Sequence, residues 1–181
     1  LNDCSWEDIS KIAAAGLAST YWSVGATKTI TINGTVGTLS LSNLSVDVFI
    51  LGFDHNSSVE GSNRIHFQIG KISSKLIGLT DSGYNNYYTN GAKYFNMNHW
   101  GNYNYGGWAG CDLRYDVLGS TDAPPSGYGS TVTTSRVGYN ASATCATKPV
   151  ANTLMAALPA DLRAVMKGVT KYADAVGNSS N

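Results

Sequence analysis

The fold is decided by the stretch TKTITINGTVGTLSL at positions 27–41, in which apolar and polar residues alternate. Alternation with a period of two predicts β-strands with one buried and one exposed face. Asn33-Gly34 is the strongest short hairpin signal, because both residues accept the positive φ angles of a two-residue turn. A turn there pairs Ile32 with Thr35. It places on one face the apolar residues Ile30, Ile32, Leu39 and Leu41.

Two further strands are predicted after this hairpin. Residues 46–53 (VDVFILGF) are apolar on both faces over most of their length, a pattern typical of a central strand. Residues 56–63 are polar and predict a loop. Residues 64–69 (RIHFQI) alternate again, with the apolar positions facing inward: Ile65, Phe67 and Ile69.

Helical patterns lie towards both ends of the chain. Ser5-Trp6-Glu7-Asp8 fits a capping box, and the apolar stripe that follows predicts a short helix over residues 6–18. A second short helix is predicted at residues 108–118. Pro149 opens a helical region whose buried side continues to Val169, and Pro159 suits the first turn of a further helix within it.

The predicted fold class is α+β, with a twisted, mainly antiparallel β-sheet, a short N-terminal helix, long Tyr/Asn-rich loops and a C-terminal helical pair. We expect residues 1–176 to form a single domain, or the N-terminal part of a larger one, and residues 177–181 to form a flexible tail. Residues 119–148 are rich in Ser, Thr and Gly and are expected to be irregular. The chain begins at Leu1 without a signal segment, which predicts a processed or excised piece.

Bulk composition limits the classes of function. The 12 Lys and Arg residues balance the 12 Asp and Glu residues, and only 13% of the chain is charged. No long-range attraction to nucleic acid or to anionic lipid follows from such a balance. No apolar run approaches the roughly 20 residues that a membrane helix needs. We therefore expect neither nucleic acid nor a membrane as a partner.

The three cysteines leave the redox compartment open. Cys111 and Cys145 could form a disulfide. The alternative is three reduced and partly buried thiols, with Cys4 as the third.

Residues that could carry catalysis or bind metal form no recognised motif. His55, His66 and His99 are too far apart in sequence for the usual zinc-ligand pairs, so we expect them to be solvated or hydrogen-bonded. A nucleophile elbow, a phosphate loop and a dinucleotide fingerprint are all missing. Paired carboxylates of a glycosidase could come from Asp47, Asp54, Asp112 or Asp116, but such pairs are easily found among 12 acidic residues. The sequence predicts no enzyme, no metal and no cofactor.

The most informative feature is the Tyr/Asn segment, residues 84–108, which holds seven Asn and six Tyr but only one cation, Lys93. Tyrosine offers a rigid ring and a hydroxyl at low entropic cost, and Asn offers adaptable polar contacts. The candidate ligand-binding residues are Tyr84, Tyr87, Tyr88, Trp100, Tyr103 and Tyr105. The alternative is an irregular loop whose rings pack on their own sheet.

Short strings along nearly the whole chain resemble an uncharacterised family, the domain of unknown function 6273. They are SWEDI (5–9), YWSVGATKTI (21–30), ILGFDHN (50–56), IHFQ (65–68), MN (97–98), GGW (106–108), LR (113–114) and LPADL (158–162). Each string is short, but the series keeps its order from one end of the chain to the other.

The resemblance implies a setting rather than an activity. Members of that family occur in gut Firmicutes and their phages or prophages, commonly in large surface or virion-associated proteins, and no catalytic residue is established for them. A virion surface, or an extracellular or cell-surface location, is therefore expected. Members usually continue into a tryptophan-rich second half that this sequence lacks, which implies the C-terminal half of the same precursor as a partner. That second half resembles C-type-lectin-like folds.

Three functional hypotheses follow. The first is a non-enzymatic recognition or adhesion domain, displayed on a phage or a bacterial surface, that binds a host glycan or surface protein. The second is a structural decoration or assembly module of a virion, in which the loops contact sister subunits of a homo-oligomer. The third is an enzyme that acts on cell-wall glycan.

Overall fold

The computed structural model describes residues 1–55, 57–70, 113–119, 136–141 and 147–174. The α-helices in these ranges are α1 (Trp6–Ala14), α2 (Ala18–Tyr21), α3 (Ser57–Glu60), α4 (Leu154–Ala157) and α5 (Ala160–Val165), and a π-helical turn spans Leu113–Val117. The strands in the same ranges are β1 (Thr27–Val36), β2 (Leu39–Phe53), β3 (Ile65–Ile69), β4 (Arg136–Ala141) and β5 (Val169–Asp174).

Backbone contacts divide the chain into two compact units. Unit 1 comprises Leu1–Asn33, Ser42–Ile77 and Leu158–Met166. Unit 2 comprises Gly34–Leu41, Gly78–Ala157 and Lys167–Asn181. Our expectation of one domain over residues 1–176 stays a prediction.

A three-stranded antiparallel sheet with the order β1-β2-β3 confirms the α+β class and the central position of β2. Val48 pairs with Ile69 and Phe53 with Ile65, and the register shifts between Ile50 and Gly52. Such a shift marks a β-bulge, which bends the strand and increases its twist. The C-type-lectin-like likeness stays an expectation of the family resemblance.

The predicted position of the hairpin turn is wrong. β1 continues through Asn33-Gly34 to Val36, the chain reverses at Gly37-Thr38, and β2 begins at Leu39. The predicted pairing of Ile32 with Thr35 is therefore wrong as well, since both lie on β1. The turn forms at Gly37 because this glycine has a φ of 61° and donates its N–H to the Asn152 carbonyl at 3.0 Å. The local Asn-Gly signal could not anticipate a hydrogen bond to a residue so distant in sequence.

The first helix is shorter than predicted. Ser5 caps α1 as expected, accepting a hydrogen bond from the Asp8 N–H. However, α1 ends at Ala14, since Gly16 takes a φ of 75° and donates to the Ala13 carbonyl at 2.8 Å. Such a left-handed glycine after the last turn ends a helix, and α2 then begins separately at Ala18. The predicted polar loop at 56–63 is also wrong in part, because it contains α3.

The core of unit 1 is built from side chains of α1, β1 and β2. Its buried side chains from α1 are Trp6, Ile9 and Ala13, and those from β1 and β2 are Ile30, Ile32, Val46, Val48 and Ile50. The burial of β1 alternates strictly from Thr27 to Ile32, as the period of two predicts. The other face of β2 is only partly covered, because Leu51 is 51% exposed, so the expectation of a strand apolar and buried on both faces is not met there.

Unit 2 contains an antiparallel pair in which β4 and β5 run from Arg136 opposite Asp174 to Ala141 opposite Val169. Two predictions are wrong here: the stretch 119–148 is not wholly irregular, and Val169 begins a strand rather than ending a helix. The C-terminal helices α4 and α5 are confirmed. Pro159 stands immediately before α5, with a non-helical ψ of 137°.

Candidate functional site

The predicted ligand-binding residues lie outside the part of the chain that the structure describes. They are Tyr84, Tyr87, Tyr88, Trp100, Tyr103 and Tyr105. The same holds for Cys111 and Cys145, so the disulfide and its alternative both stay predictions. In sequence, the Tyr/Asn segment stands between β3 of the unit 1 sheet and the turn at Leu113–Val117.

Among the described residues, side chains that could do chemistry come together in the loop between β2 and β3. Backbone hydrogen bonds close this loop at its base: the Asp54 N–H donates to the Arg64 carbonyl at 2.9 Å. The Arg64 N–H in turn donates to Oδ1 of Asp54 at 2.8 Å. Asp54 tolerates its positive φ of 48° partly because its short polar side chain bonds to the nearby backbone.

The single turn of α3 fills this loop and is fixed to α1. Ser57 donates its N–H to the Asp54 carbonyl at 3.2 Å, and Gly61 donates to the Ser57 carbonyl at 3.0 Å. Nδ2 of Asn63 donates to the Ala14 carbonyl, the last residue of α1, at 3.1 Å. An orphan carbonyl at a helix end is thereby satisfied, and the loop is held against the scaffold.

This arrangement brings Glu60, His66 and His55 together. The Glu60 side chain is 2% exposed and the His66 side chain 12% exposed, and Oε2 of Glu60 lies 3.8 Å from Nε2 of His66. The His55 ring stands edge-on to the His66 ring, with the two centroids 5.7 Å apart. A distance of 3.8 Å exceeds that of a hydrogen bond, so the attraction is electrostatic and depends on protonation of His66.

The sequence did not identify Glu60 as part of a cluster. We expect His55 and His66 to be solvated or hydrogen-bonded, and the His66 side chain is mostly buried. No local pattern marks Glu60, which is one of only two glutamates in the chain. A buried carboxylate requires compensation by a charge or by hydrogen bonds.

No set of three His, Cys, Asp or Glu side chains able to hold a metal ion occurs among the described residues. His99, the third histidine of the metal hypothesis, lies outside them. Of the carboxylates in the glycosidase hypothesis, Asp112 lies outside the described residues, and Asp54 uses one carboxylate oxygen in its own loop.

A second group of polar side chains lies on the exposed face of β1. Thr27, Thr29 and Thr31 point away from the core and are exposed. Oγ1 of Thr29 donates to Oδ1 of Asp47 on β2 at 2.8 Å, which fixes the orientation of that exposed carboxylate. The free edge of β1 is partly closed by Asn2, whose Oδ1 accepts from the Thr29 N–H at 3.0 Å. This face offers hydroxyl groups and an oriented carboxylate to a polar ligand.

Several large apolar side chains of unit 1 are exposed. The most exposed are Tyr21 at 64%, Val24 at 63% and Leu51 at 51%. Single exposed apolar side chains are normal on a soluble surface.

Comparisons of the chain with protein-family models, with curated proteins and with solved structures find no match. The resemblance to the domain of unknown function 6273 therefore stays a prediction. Within the described ranges, no helix has the length and apolar character needed to cross a membrane.

Proposed function

We propose that this chain is a non-enzymatic recognition or adhesion domain, displayed on a phage virion or a bacterial surface, that binds a host glycan or surface protein. The observation that carries the proposal is the Tyr/Asn segment, with seven Asn, six Tyr and a single cation in 25 residues. Rings and amides in this proportion suit a polar, uncharged ligand, because Tyr provides stacking area and Asn provides adaptable hydrogen bonds.

A rigid scaffold is the usual support for a binding loop. In sequence, the Tyr/Asn segment lies between β3, which ends at Ile69, and the turn that begins at Leu113. The hydroxyl-bearing face of β1 is in keeping with the same ligand chemistry.

Binding of the whole chain to host cells and to a glycan array tests the proposal. We expect the triple variant Tyr84→Ala, Tyr87→Ala, Tyr88→Ala to lose binding at least tenfold, since each stacked ring contributes on the order of 1 kcal/mol. Tyr21→Ala is the matched control, because this tyrosine is 64% exposed on the scaffold but lies outside the Tyr/Asn segment. Equal losses in the two variants, or full binding by the triple variant, would contradict the proposal.

A virion decoration or assembly module is the second candidate, in which sister subunits would cover the exposed side chains of Tyr21, Val24 and Leu51. Association of sister subunits would bury well over about 1,000 Å² in total. Mass measurement in solution distinguishes the two functions. A monomer that retains cell binding supports recognition. A stable oligomer that dissociates when Leu51→Ser and Val24→Ser are introduced supports assembly.

A further inference from the structure

The Asn33-Gly34 dipeptide lies within a β-strand and not in the turn that its sequence predicts. β1 runs from Thr27 to Val36, so both residues have strand neighbours on each side. Asn-Gly is also the dipeptide most prone to deamidation, because glycine places no side chain in the way of an attack by its own backbone nitrogen.

We propose that Asn33-Gly34 is a site of spontaneous deamidation that reacts only when the hairpin of β1 and β2 opens. The backbone nitrogen of Gly34 attacks Cγ of Asn33, the Cγ–Nδ2 bond breaks, and the proton lost from the Gly34 nitrogen leaves with the amide as ammonia. Water then opens the five-membered imide at either carbonyl. The product is aspartate or an isoaspartyl linkage, and no oxidant or reductant is needed.

A hydrogen bond fixes the orientation of the Asn33 side chain. Oδ1 of Asn33 accepts a hydrogen bond from the Asn43 N–H at 2.6 Å. Asn43 has a φ of 48°, so this bond also secures a left-handed backbone position in β2. Ring closure requires the Asn33 side chain to rotate, and rotation breaks this bond.

The Gly34 backbone is held as well. A Cβ at Gly34 would lie 3.3 Å from Cβ and 3.4 Å from Cα of Ala157, so the backbone here is closely packed. Asn33 lies in the extended backbone of β1, which keeps the Gly34 nitrogen from approaching Cγ. Closure of the imide needs a large change in the ψ angle of Asn33, and the pairing of β1 with β2 opposes that change.

The product disturbs the hairpin more than a charge change alone would. An isoaspartyl linkage adds one atom to the main chain, which displaces the residues that follow it in β1 from their hydrogen-bonding partners in β2. Asn33 is exposed, so the new carboxylate itself is hydrated. The hairpin therefore protects the dipeptide, and a reacted dipeptide weakens the hairpin.

Peptide mapping by mass spectrometry, on the full chain kept at mildly alkaline pH with and without denaturant, tests this proposal. We expect Asn33 to deamidate at least about tenfold more slowly in the native chain than in the unfolded chain, because the reaction waits for local opening. Asn90-Gly91, the other Asn-Gly pair, is the chemical control and should match the rate of Asn33 in denaturant. Equal rates for Asn33 in native and unfolded chain, or no reaction in denaturant, would overturn the proposal.

A matched pair of variants separates hairpin opening from general loosening. Gly37→Ala places a side chain at the hairpin turn, where φ is 61°, and should raise the native rate at Asn33 several-fold. Gly61→Ala carries a similar φ of 80° in the loop of α3, where a Cβ has open space, and should leave that rate unchanged. An unchanged rate in Gly37→Ala, or equal acceleration in both variants, contradicts gating by the hairpin.

Discussion

The ring of Phe67 stands edge-on to the indole of Trp6, with the two centroids 5.3 Å apart and the planes crossed at 81°. Edge-to-face contacts of this kind add to the burial energy of two aromatic side chains. Nζ of Lys28 lies 5.6 Å from the indole centroid. The same ammonium donates to the carbonyls of Asn2 and Cys4, at 3.1 and 2.6 Å. Trp6 thus connects α1, β1, β3 and the N-terminal residues of unit 1.

Replacement of Trp6 by alanine should be strongly destabilising. Trp6 is only 4% exposed, so Trp6→Ala loses burial, the contact with Phe67 and the ring beneath Lys28. We expect the free energy of unfolding to fall by about 3–5 kcal/mol, measured by urea denaturation followed by circular dichroism. Tyr21→Ala, at a site 64% exposed, should change it by less than about 0.5 kcal/mol. Similar effects of the two variants would contradict this account of the core.

Coupling between Glu60 and His66 should depend on pH. The two facing atoms are buried and 3.8 Å apart, so a protonated His66 attracts the Glu60 carboxylate in surroundings of low dielectric. A double-mutant cycle with Glu60→Gln and His66→Gln, measured by urea denaturation at pH 5 and pH 8, isolates this pair from other neighbours. We expect a favourable coupling of about 1 kcal/mol or more at pH 5, decreasing at pH 8 as imidazole loses its proton.

The equivalent cycle on Glu7 and Lys11 is the control for that measurement. These residues form an ion pair at 2.6 Å on α1, but their side chains are 74% and 68% exposed. An exposed i,i+4 pair couples weakly, and this pair contains no imidazole, the group whose protonation the first cycle tests. Coupling of Glu60 with His66 that stays constant between the two pH values would show that a change in the protonation of His66 is not the source of the attraction.

Local signals predicted some elements of this fold better than others. The start of α1 was predictable because Ser5 and Asp8 are three residues apart, and the alternation of β1 was predictable because burial on a sheet repeats every two residues. The position of the turn was not predictable, since both Asn33-Gly34 and Gly37-Thr38 can reverse a chain. The turn forms at Gly37-Thr38, where the Gly37 N–H donates to the carbonyl of Asn152, a residue distant in sequence.

The cluster of Glu60, His55 and His66 was beyond the reach of the sequence for a different reason. α3 is four residues long, which is too short for a helical period to be visible. The proximity of Glu60 to His66 depends on this turn and on the hydrogen bonds between Asp54 and Arg64. Composition did identify the Tyr/Asn segment, but no periodic pattern there allows a side chain to be assigned a position.

Gly119 should tolerate alanine less well than Gly25. Both have positive φ angles, 76° and 88°, so alanine is strained at either site, at a cost of about 1 kcal/mol. At Gly119, however, a Cβ would lie 2.8 Å from Oγ1 and 2.9 Å from Cγ2 of Thr153, which is itself buried. At Gly25 nothing lies within 4 Å. We expect Gly119→Ala to lower the unfolding temperature more than Gly25→Ala does, because the clash with Thr153 adds a steric cost of about 1–3 kcal/mol to the free energy of folding. Equal unfolding temperatures of the two variants would contradict the packing of Gly119 on Thr153.

The hydrogen bonds that cap α1 should make the free energy of unfolding depend on pH under acidic conditions. Oγ of Ser5 accepts from the Asp8 N–H at 3.0 Å and donates to Oδ2 of Asp8 at 2.6 Å, and this side-chain bond lowers the pKa of Asp8 below its usual 3.8. A lowered carboxyl pKa contributes stability that is present above the usual value and lost as the pH falls through the lowered one.

Ser5→Ala should therefore act in two ways. Loss of the cap lowers the free energy of unfolding at neutral pH by about 1 kcal/mol, and the pKa of Asp8, followed by NMR titration of its carboxyl carbon, should rise back towards 3.8. In the variant, the Asp8 carboxyl should then contribute less to the pH dependence of the free energy of unfolding, because its pKa values in the folded and unfolded states approach each other. Ser19→Ala, at an exposed serine of α2, is the control and should leave the Asp8 titration unchanged. An Asp8 that titrates at the same pH with and without Ser5 would mean that the hydroxyl is not what lowers its pKa.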